Sequence, residues 1–154
     1  NGAQREEIPV KYFIDSANTS GLMASYYADG KKVYQQLEPF MQYSMYFYNP
    51  RQGIYLSKGN SKVDYKGRLF VPKKDMYSVI FENSPGGDVY VDGAKVSGYD
   101  KDGKLTVSEA MLDYGWHKIE IKVNIAQSNS VNRLLWKCNE ETVYRHVLSE
   151  NLKP

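Results

Sequence analysis

Strict period-two alternation is the feature that most constrains this chain. From His117 to Ile125, Ile119, Ile121, Val123 and Ile125 fall on one side, while Lys118, Glu120, Lys122 and Asn124 fall on the other. A strand repeats its side-chain direction every two residues, so this segment predicts a strand with one face in a core and one in water. The pattern recurs: Val63, Tyr65, Leu69 and Val71 share a face, with Gly67 on it as the point where a neighbour packs closely. Met76 to Glu82 and Asp88 to Val91 predict two more strands. Shorter ones are expected at Pro9 to Ile14, Leu22 to Tyr27, Met45 to Tyr48, Leu105 to Val107 and Asn132 to Lys137. The segments Lys31 to Gln42 and Val107 to Leu112 each have room for a helical turn.

Turn chemistry separates these runs. Asp92-Gly93 stands between Val89-Tyr90-Val91 and Ala94-Lys95-Val96, the strongest short hairpin signal a sequence offers. Asp29-Gly30 and Asp102-Gly103 mark further turns, and Asn49-Pro50 and Ser84-Pro85-Gly86-Gly87 mark longer loops. Short strands spaced by such signals predict an all-β domain, an antiparallel sandwich or barrel with short helical turns at most. There is no repeat and no linker-like stretch. At 154 residues the chain is the size of one domain able to bury its own core.

Charge and composition exclude several function classes. The 20 basic and 18 acidic residues are spread along the chain, without the basic run or stripe of a nucleic-acid binder, so no nucleic-acid partner is expected. No stretch reaches the roughly 20 apolar residues of a membrane-spanning helix. Cys138 is the only cysteine, which excludes an internal disulfide; beside Leu134-Leu135-Trp136 it reads as a small core residue. The chain starts at Asn1 with no apolar leader, which reads as a segment of a longer protein or one whose signal has been removed.

Motifs for catalysis are missing. The two histidines, His117 and His146, and Cys138 have no zinc-ligand spacing, and no nucleophile elbow, phosphate loop or dinucleotide fingerprint occurs. Neither catalytic residues, a metal nor a cofactor is expected. The run Gly98 to Glu109 matches part of a calcium loop, with Asp100, Asp102, Gly103 and Glu109 at ligand and turn positions. Its first position is glycine and a hairpin precedes it, so a polar turn is expected instead. The 14 tyrosines suit half-buried sheet positions. The cluster Tyr43-Ser44-Met45-Tyr46-Phe47-Tyr48 serves either sheet packing or a sugar-stacking platform. Asn18-Thr19-Ser20 is a glycosylation acceptor pattern.

Taken in order, several segments resemble one family. Gly21-Leu22-Met23-Ala24-Ser25-Tyr26-Tyr27 is similar to the Gly-Leu-x-x-x-Tyr-Tyr opening of the anthrax protective-antigen-like β-sandwich domains. Tyr65-Lys66-Gly67-Arg68-Leu69-Phe70-Val71-Pro72 resembles their Gly-x-Leu-x-x-Pro strand, and Asp75-Met76-Tyr77-Ser78-Val79 the step after it. Asp88-Val89-Tyr90-Val91-Asp92-Gly93 resembles their Leu-Tyr-Val-Asp-Gly hairpin, Leu112 to Ile121 their Leu-x-x-Gly-x-His-x-Ile-x-Ile segment, and Leu134-Leu135-Trp136 their closing strand. The resemblance implies two packed antiparallel sheets, jelly-roll-like, over 21–154. Residues 1–20 then form an N-terminal extension with room for one added strand. Trp136 and Leu134 are expected to seal the interior.

What the resemblance implies for function is a non-catalytic accessory domain of a larger extracytoplasmic or membrane protein, carbohydrate-associated, with a glycan and the rest of the parent polypeptide as partners. The alternatives are a structural or protein–protein interaction domain without small ligand, or a soluble appendage of a membrane glycosyltransferase. Any catalysis would then lie in the parent. The family's converging loops place a ligand site around Asn83 and Ser84 and around Asn129, with Tyr99 or Tyr48 adding a stacking face; turn formation explains the asparagines equally well. The family's sugar-binding adhesins hold calcium on two adjacent aspartates joined by a cis peptide. Those places fall at Ser84 and Pro85 here, so no calcium site is expected. A proline there keeps a cis bend accessible, at about 0.5–1 kcal/mol, although a trans proline opening the Gly86-Gly87 turn is the competing expectation.

Overall fold

The structure, a computed structural model, describes residues 20–38, 42–46, 48–49, 54–55, 61–82, 87–124 and 129–154; for 42–46, 48–49, 54–55 and 129–132 it describes the backbone. Its strands are β1 (Leu22–Ala28), β2 (Lys31–Glu38), β3 (Gln42–Tyr46), β4 (Tyr48–Asn49), β5 (Ile54–Tyr55), β6 (Ser61–Val71), β7 (Asp75–Glu82), β8 (Gly87–Val91), β9 (Ala94–Tyr99), β10 (Leu105–Val107), β11 (Ala110–Leu112), β12 (Gly115–Asn124), β13 (Asn129–Cys138), β14 (Arg145–His146) and β15 (Leu152–Lys153). A 3-10 turn at Ser149–Asn151 is the one helical element among the described residues. β4 and β5 pair with each other, and the remaining strands form one 13-stranded sheet.

The main path of that sheet runs β14-β13-β7-β8-β12-β6-β1-β2, with β3, β9, β10, β11 and β15 attached along it. All described pairings are antiparallel. The expectation of two packed sheets therefore gives way to a single sheet that curls strongly on itself. The reason is the bridge Phe81↔Gly87, which joins β7 to β8 and makes the two halves continuous. Two strand edges are shared between partners. On β6, β1 covers Ser61 to Lys66 and β15 takes over at Arg68 and Leu69. On β8, β9 covers Val89 to Val91 and β7 takes over at Gly87.

A glycine stands at each handover because the incoming chain leaves no room for a side chain. A Cβ on Gly67 would lie 2.2 Å from the Lys153 carbonyl oxygen and 2.7 Å from Leu22 Cδ2; one on Gly87 would lie 2.7 Å from Phe81 Cδ2. The close neighbour expected at Gly67 is thus the last strand of the chain. Turn geometry also follows the sequence. Asp29 and Gly30, and Asp92 and Gly93, all take positive φ, the type I′ pattern whose twist suits a two-residue hairpin.

The concave face of the curl is the core. Val63, Tyr65, Leu69 and Val71 of β6, Ile119, Ile121 and Val123 of β12, and Tyr77, Val79 and Phe81 of β7 are all buried. Tyr65 meets Phe81 across the interior at 5.5 Å between ring centroids. Trp136 is 2% exposed and packs 5.3 Å from Tyr77, so it lines the interior as expected, together with Leu134.

In the two segments with room for helical turns, the described residues hold strands instead, and 39–41 of the first lie outside the described residues. Lys31 to Glu38 is folded back on β1 by the Asp29-Gly30 turn. Its partly buried side carries Tyr34, Gln36 and Glu38, so the apolar alternation that marks other strands is lacking there. Leu105–Val107 and Ala110–Leu112 are strands of three residues, too short to show a period. The expected strand at Pro9 to Ile14, the acceptor pattern at Asn18, Ile125 and the Ser84–Pro85 bond lie outside the described residues.

Candidate functional site

Of the sequence-predicted site residues, Asn83 and Ser84 lie outside the described residues. Asn129 opens β13 opposite Tyr46, and Tyr48 lies in β4 opposite Tyr55; the backbone places both, and nothing is described of their side chains. Tyr99 is described fully. It ends β9 and lines a groove of about 320 Å³ together with Lys95, Gly98, Asp100, Thr106 and Ser108.

The groove is built by register. β8 and β9 slip by one residue between Val89 and Tyr90, so Val89 pairs with Ser97 and Tyr90 with Lys95, leaving Val96 as the extra residue. The slip brings Gly98 beside Asp88. A Cβ on Gly98 would lie 2.4 Å from Asp88 Oδ1 and 2.6 Å from Lys95 Cε, so the missing side chain makes the space. Lys95 Nζ lies 3.5 Å from Asp88 Oδ1 across that floor. β10 forms one wall, with Thr106 opposite Gly98 and Leu105 opposite Tyr99. Ser97 also lines the groove; its Oγ is buried with no hydrogen-bond partner among the described residues. Ser97 stands opposite the core residue Val89, so this hydroxyl lies on the interior side of the sheet and is closed to the groove. Burial raises the Tyr99 pKa, and the Glu82 carboxylate and Tyr144 raise it further, so the phenol stays protonated as a donor. Glu82 is the last residue of β7, immediately before Asn83 in the chain.

Such a groove offers hydroxyl, ammonium and carboxylate groups around a ring edge, which suits hydrogen bonding to a polyol. Its lining contains no histidine or cysteine. Among the described residues, no three His, Cys, Asp or Glu side chains group as a metal site. Asp100, which aligned with a calcium ligand, instead accepts hydrogen bonds at Oδ1 from the Asp102 N–H at 2.8 Å and the Lys104 N–H at 2.9 Å. That is the self-closed polar turn expected for Asp102-Gly103.

The titratable groups elsewhere include His117, Glu38 and Cys138. His117 Nδ1 faces Asp92 Oδ2 at 2.6 Å and Nε2 faces the Asp113 carbonyl at 2.8 Å. Both partners are acceptors, so the protonated ring donates to both. Burial by itself lowers the imidazole pKa; the bonds to Asp92 and the Asp113 carbonyl act the other way and prevail, leaving it raised. Glu38 is buried beside Tyr26, whose hydroxyl donates to it, and accepts from Gln36 Nε2 at 2.6 Å. Burial raises its pKa, against the two donors. This cluster was not foreseen, because Gln36 and Glu38 sit on the strand whose buried side is polar. Cys138 is buried, and the neighbouring Glu141 carboxylate and burial both raise its pKa, which makes it an unreactive core thiol.

No family model and no curated protein sequence matches the chain. Solved structures do match in fold. An anti-sigma factor domain-containing protein from Clostridium clariflavum superposes with a TM-score of 0.71 at 16% identity, covering 88% of this chain and 47% of that one. The PA14 sugar-binding domain from an RTX adhesin gives a TM-score of 0.60 at 16% identity, over 82% of this chain and 94% of that chain. The Epithelial Adhesin 6 A domain from Candida glabrata, in complex with Galb1-3GlcNAc, gives 0.61 at 8% identity, over 86% of both chains. The chain thus spans about half the length of the anti-sigma-factor structure (47%) and most of the two adhesin domains (94% and 86%). At these identities the likeness is one of fold.

Proposed function

We propose that this chain is a non-catalytic, carbohydrate-associated accessory domain of a larger extracytoplasmic protein, and that the β9–β10 groove is where it meets sugar. The observation that carries the reading is the groove itself: a Lys95–Asp88 pair beside the glycine floor of Gly98, with Tyr99, Asp100 and Thr106 lining the same space. Its fold likeness to domains described as sugar-binding adds support. The single curled sheet fixes strand register and hence the groove. Asn83, Ser84, Asn129 and Tyr48 remain candidate sugar contacts on the family resemblance alone, and binding does not need calcium, since serine and proline stand where that resemblance puts the paired carboxylates.

A glycan array followed by titration with Lys95→Ala and Tyr99→Ala tests this. The expected result is a millimolar or tighter glycan whose binding survives chelator and weakens about tenfold or more in either variant, with melting unchanged. No glycan bound at millimolar concentration retires the sugar reading. The second reading, a packing module for the rest of a parent chain, is favoured by its spanning only 47% of the anti-sigma-factor structure.

A further inference from the structure

The outward face of β6 and β12 is laid out in cross-strand rows. Lys122 stands opposite Asp64 and Glu120 opposite Lys66, the latter with 3.6 Å between Nζ and Oε2. Opposite charges directly across an antiparallel pair are favourable, and like charges are not. The next row breaks the rule. Lys118 stands opposite Arg68, and on the other edge of Arg68 β15 places Lys153. Neighbouring strands lie about 4.8 Å apart, so the three cations stand side by side. Among the described residues none of the three forms an ion pair.

Aromatic rings make up the following row. Trp116 stands opposite Phe70, with centroids 5.1 Å apart, and Tyr114 meets Phe70 at 5.3 Å. Trp116 is 40% and Tyr114 69% exposed, large apolar surface beside cations that have no ion pair among the described residues. The Arg68 guanidinium and Lys153 ammonium lie 5.7 and 5.2 Å from the Trp116 centroid. Cation–π contact holds these heads in place without cancelling their charge.

We infer that this face binds an acidic, carboxylate-bearing polysaccharide. Lys118, Arg68 and Lys153 take the carboxylates, and Trp116 and Tyr114 take the C–H faces of the sugar rings. The aromatic and cationic rows are two residues apart along each strand, about 7 Å. A uronate unit carries an apolar ring face and a carboxylate within a comparable reach, and a linear polymer of such units runs along a flat sheet face. A stable protein partner uses about 20–30 residues a side, far more than these six side chains. The face lies on strands other than the groove's and stands whether or not the groove binds.

Titration of the full chain at low salt with sodium alginate tests the inference, against its uncharged propylene glycol ester, polyglutamate and phosphatidylglycerol vesicles. Alginate should bind, and the ester about tenfold more weakly. Arg68→Gln/Lys118→Gln/Lys153→Gln should lose binding, and Trp116→Ala/Tyr114→Ala should weaken it about tenfold, with wild-type melting. If the double ring variant melts lower, Tyr114→Ala alone carries the ring test. Failure of alginate to bind overturns the proposal, as does wild-type alginate binding by the ring variant. Equal binding of polyglutamate overturns it in favour of an acidic protein segment, and equal binding of vesicles in favour of a membrane surface.

Discussion

Gly67→Ala adds one methyl group where the last strand crosses β6. The new Cβ would sit 2.2 Å from the Lys153 carbonyl oxygen, about 1 Å short of an ordinary C···O contact of about 3.3–3.6 Å. Leu22 Cδ2, at 2.7 Å, can swing away, but the carbonyl belongs to backbone and cannot. β15 must therefore lift. Lifting exposes Leu152, now fully buried, at about 1.5–3 kcal/mol. It also breaks the bond from the Gly21 N–H to the Leu152 carbonyl, 2.9 Å long, and the short ladder to β6, each bond worth about 0.5–1.5 kcal/mol. Removing a glycine stiffens the unfolded chain and returns about 0.4–1 kcal/mol. The net expectation is a loss of about 2–5 kcal/mol in urea denaturation at unchanged m-value. Leu152→Ala should cost a similar amount. Because both act through β15, the double variant should lose clearly less than the sum. A Gly67→Ala midpoint within error of wild type, or full additivity, refutes the reasoning.

The His117–Asp92 contact should appear in the pH dependence of stability. The folded-state pKa is raised above the ordinary 6.5, so the contribution is complete below about pH 6.5 and is lost as pH rises through the folded value. Denaturation midpoints should fall as pH rises above about 6.5 and become flat in Asp92→Asn, which keeps a residue tolerant of positive φ; a flat wild-type profile refutes this. Glu38 carries a carboxyl raised by burial above the ordinary 4.5, so it weakens the fold as pH rises from about 4.5 through its folded value. Glu38→Gln keeps the acceptor for Tyr26 and should gain on the order of 1 kcal/mol at pH 7 and little at pH 4. Loss of stability at pH 7 would mean the ionised form is the favoured one.

How much of this was legible depended on which side of a strand carried the apolar residues. β6 and β12 could be read at once, because Val63, Tyr65, Leu69, Val71 and Ile119, Ile121, Val123 alternate with charge. The Asp92-Gly93 hairpin and the crowding at Gly67 followed from the same reasoning. β2 was hidden because its buried side is Tyr34, Gln36 and Glu38, a polar network without a hydrophobic period. The single continuous sheet rests on the Phe81↔Gly87 bridge, a contact between strand ends that no pattern announces. At the groove, Tyr99 was visible as an aromatic, but Lys95, Gly98 and Asp88 meet only through a one-residue slip. The row Lys118, Arg68 and Lys153 likewise exists only once three distant segments are in register.

The bond between Gly21 and Leu152 makes the start of the first strand and the start of the last immediate neighbours. Any longer polypeptide that entered this unit at Gly21 and left it at Leu152 would do so at two adjacent points, like a loop enlarged to domain size, with no gap to bridge. Pulling on the two flanks would strain that junction first and detach β15 before the Phe81–Gly87 bridge feels any load. In an assembly under tension the last strand would act as a mechanical latch, and its release would carry Lys153 away from Arg68 and Trp116.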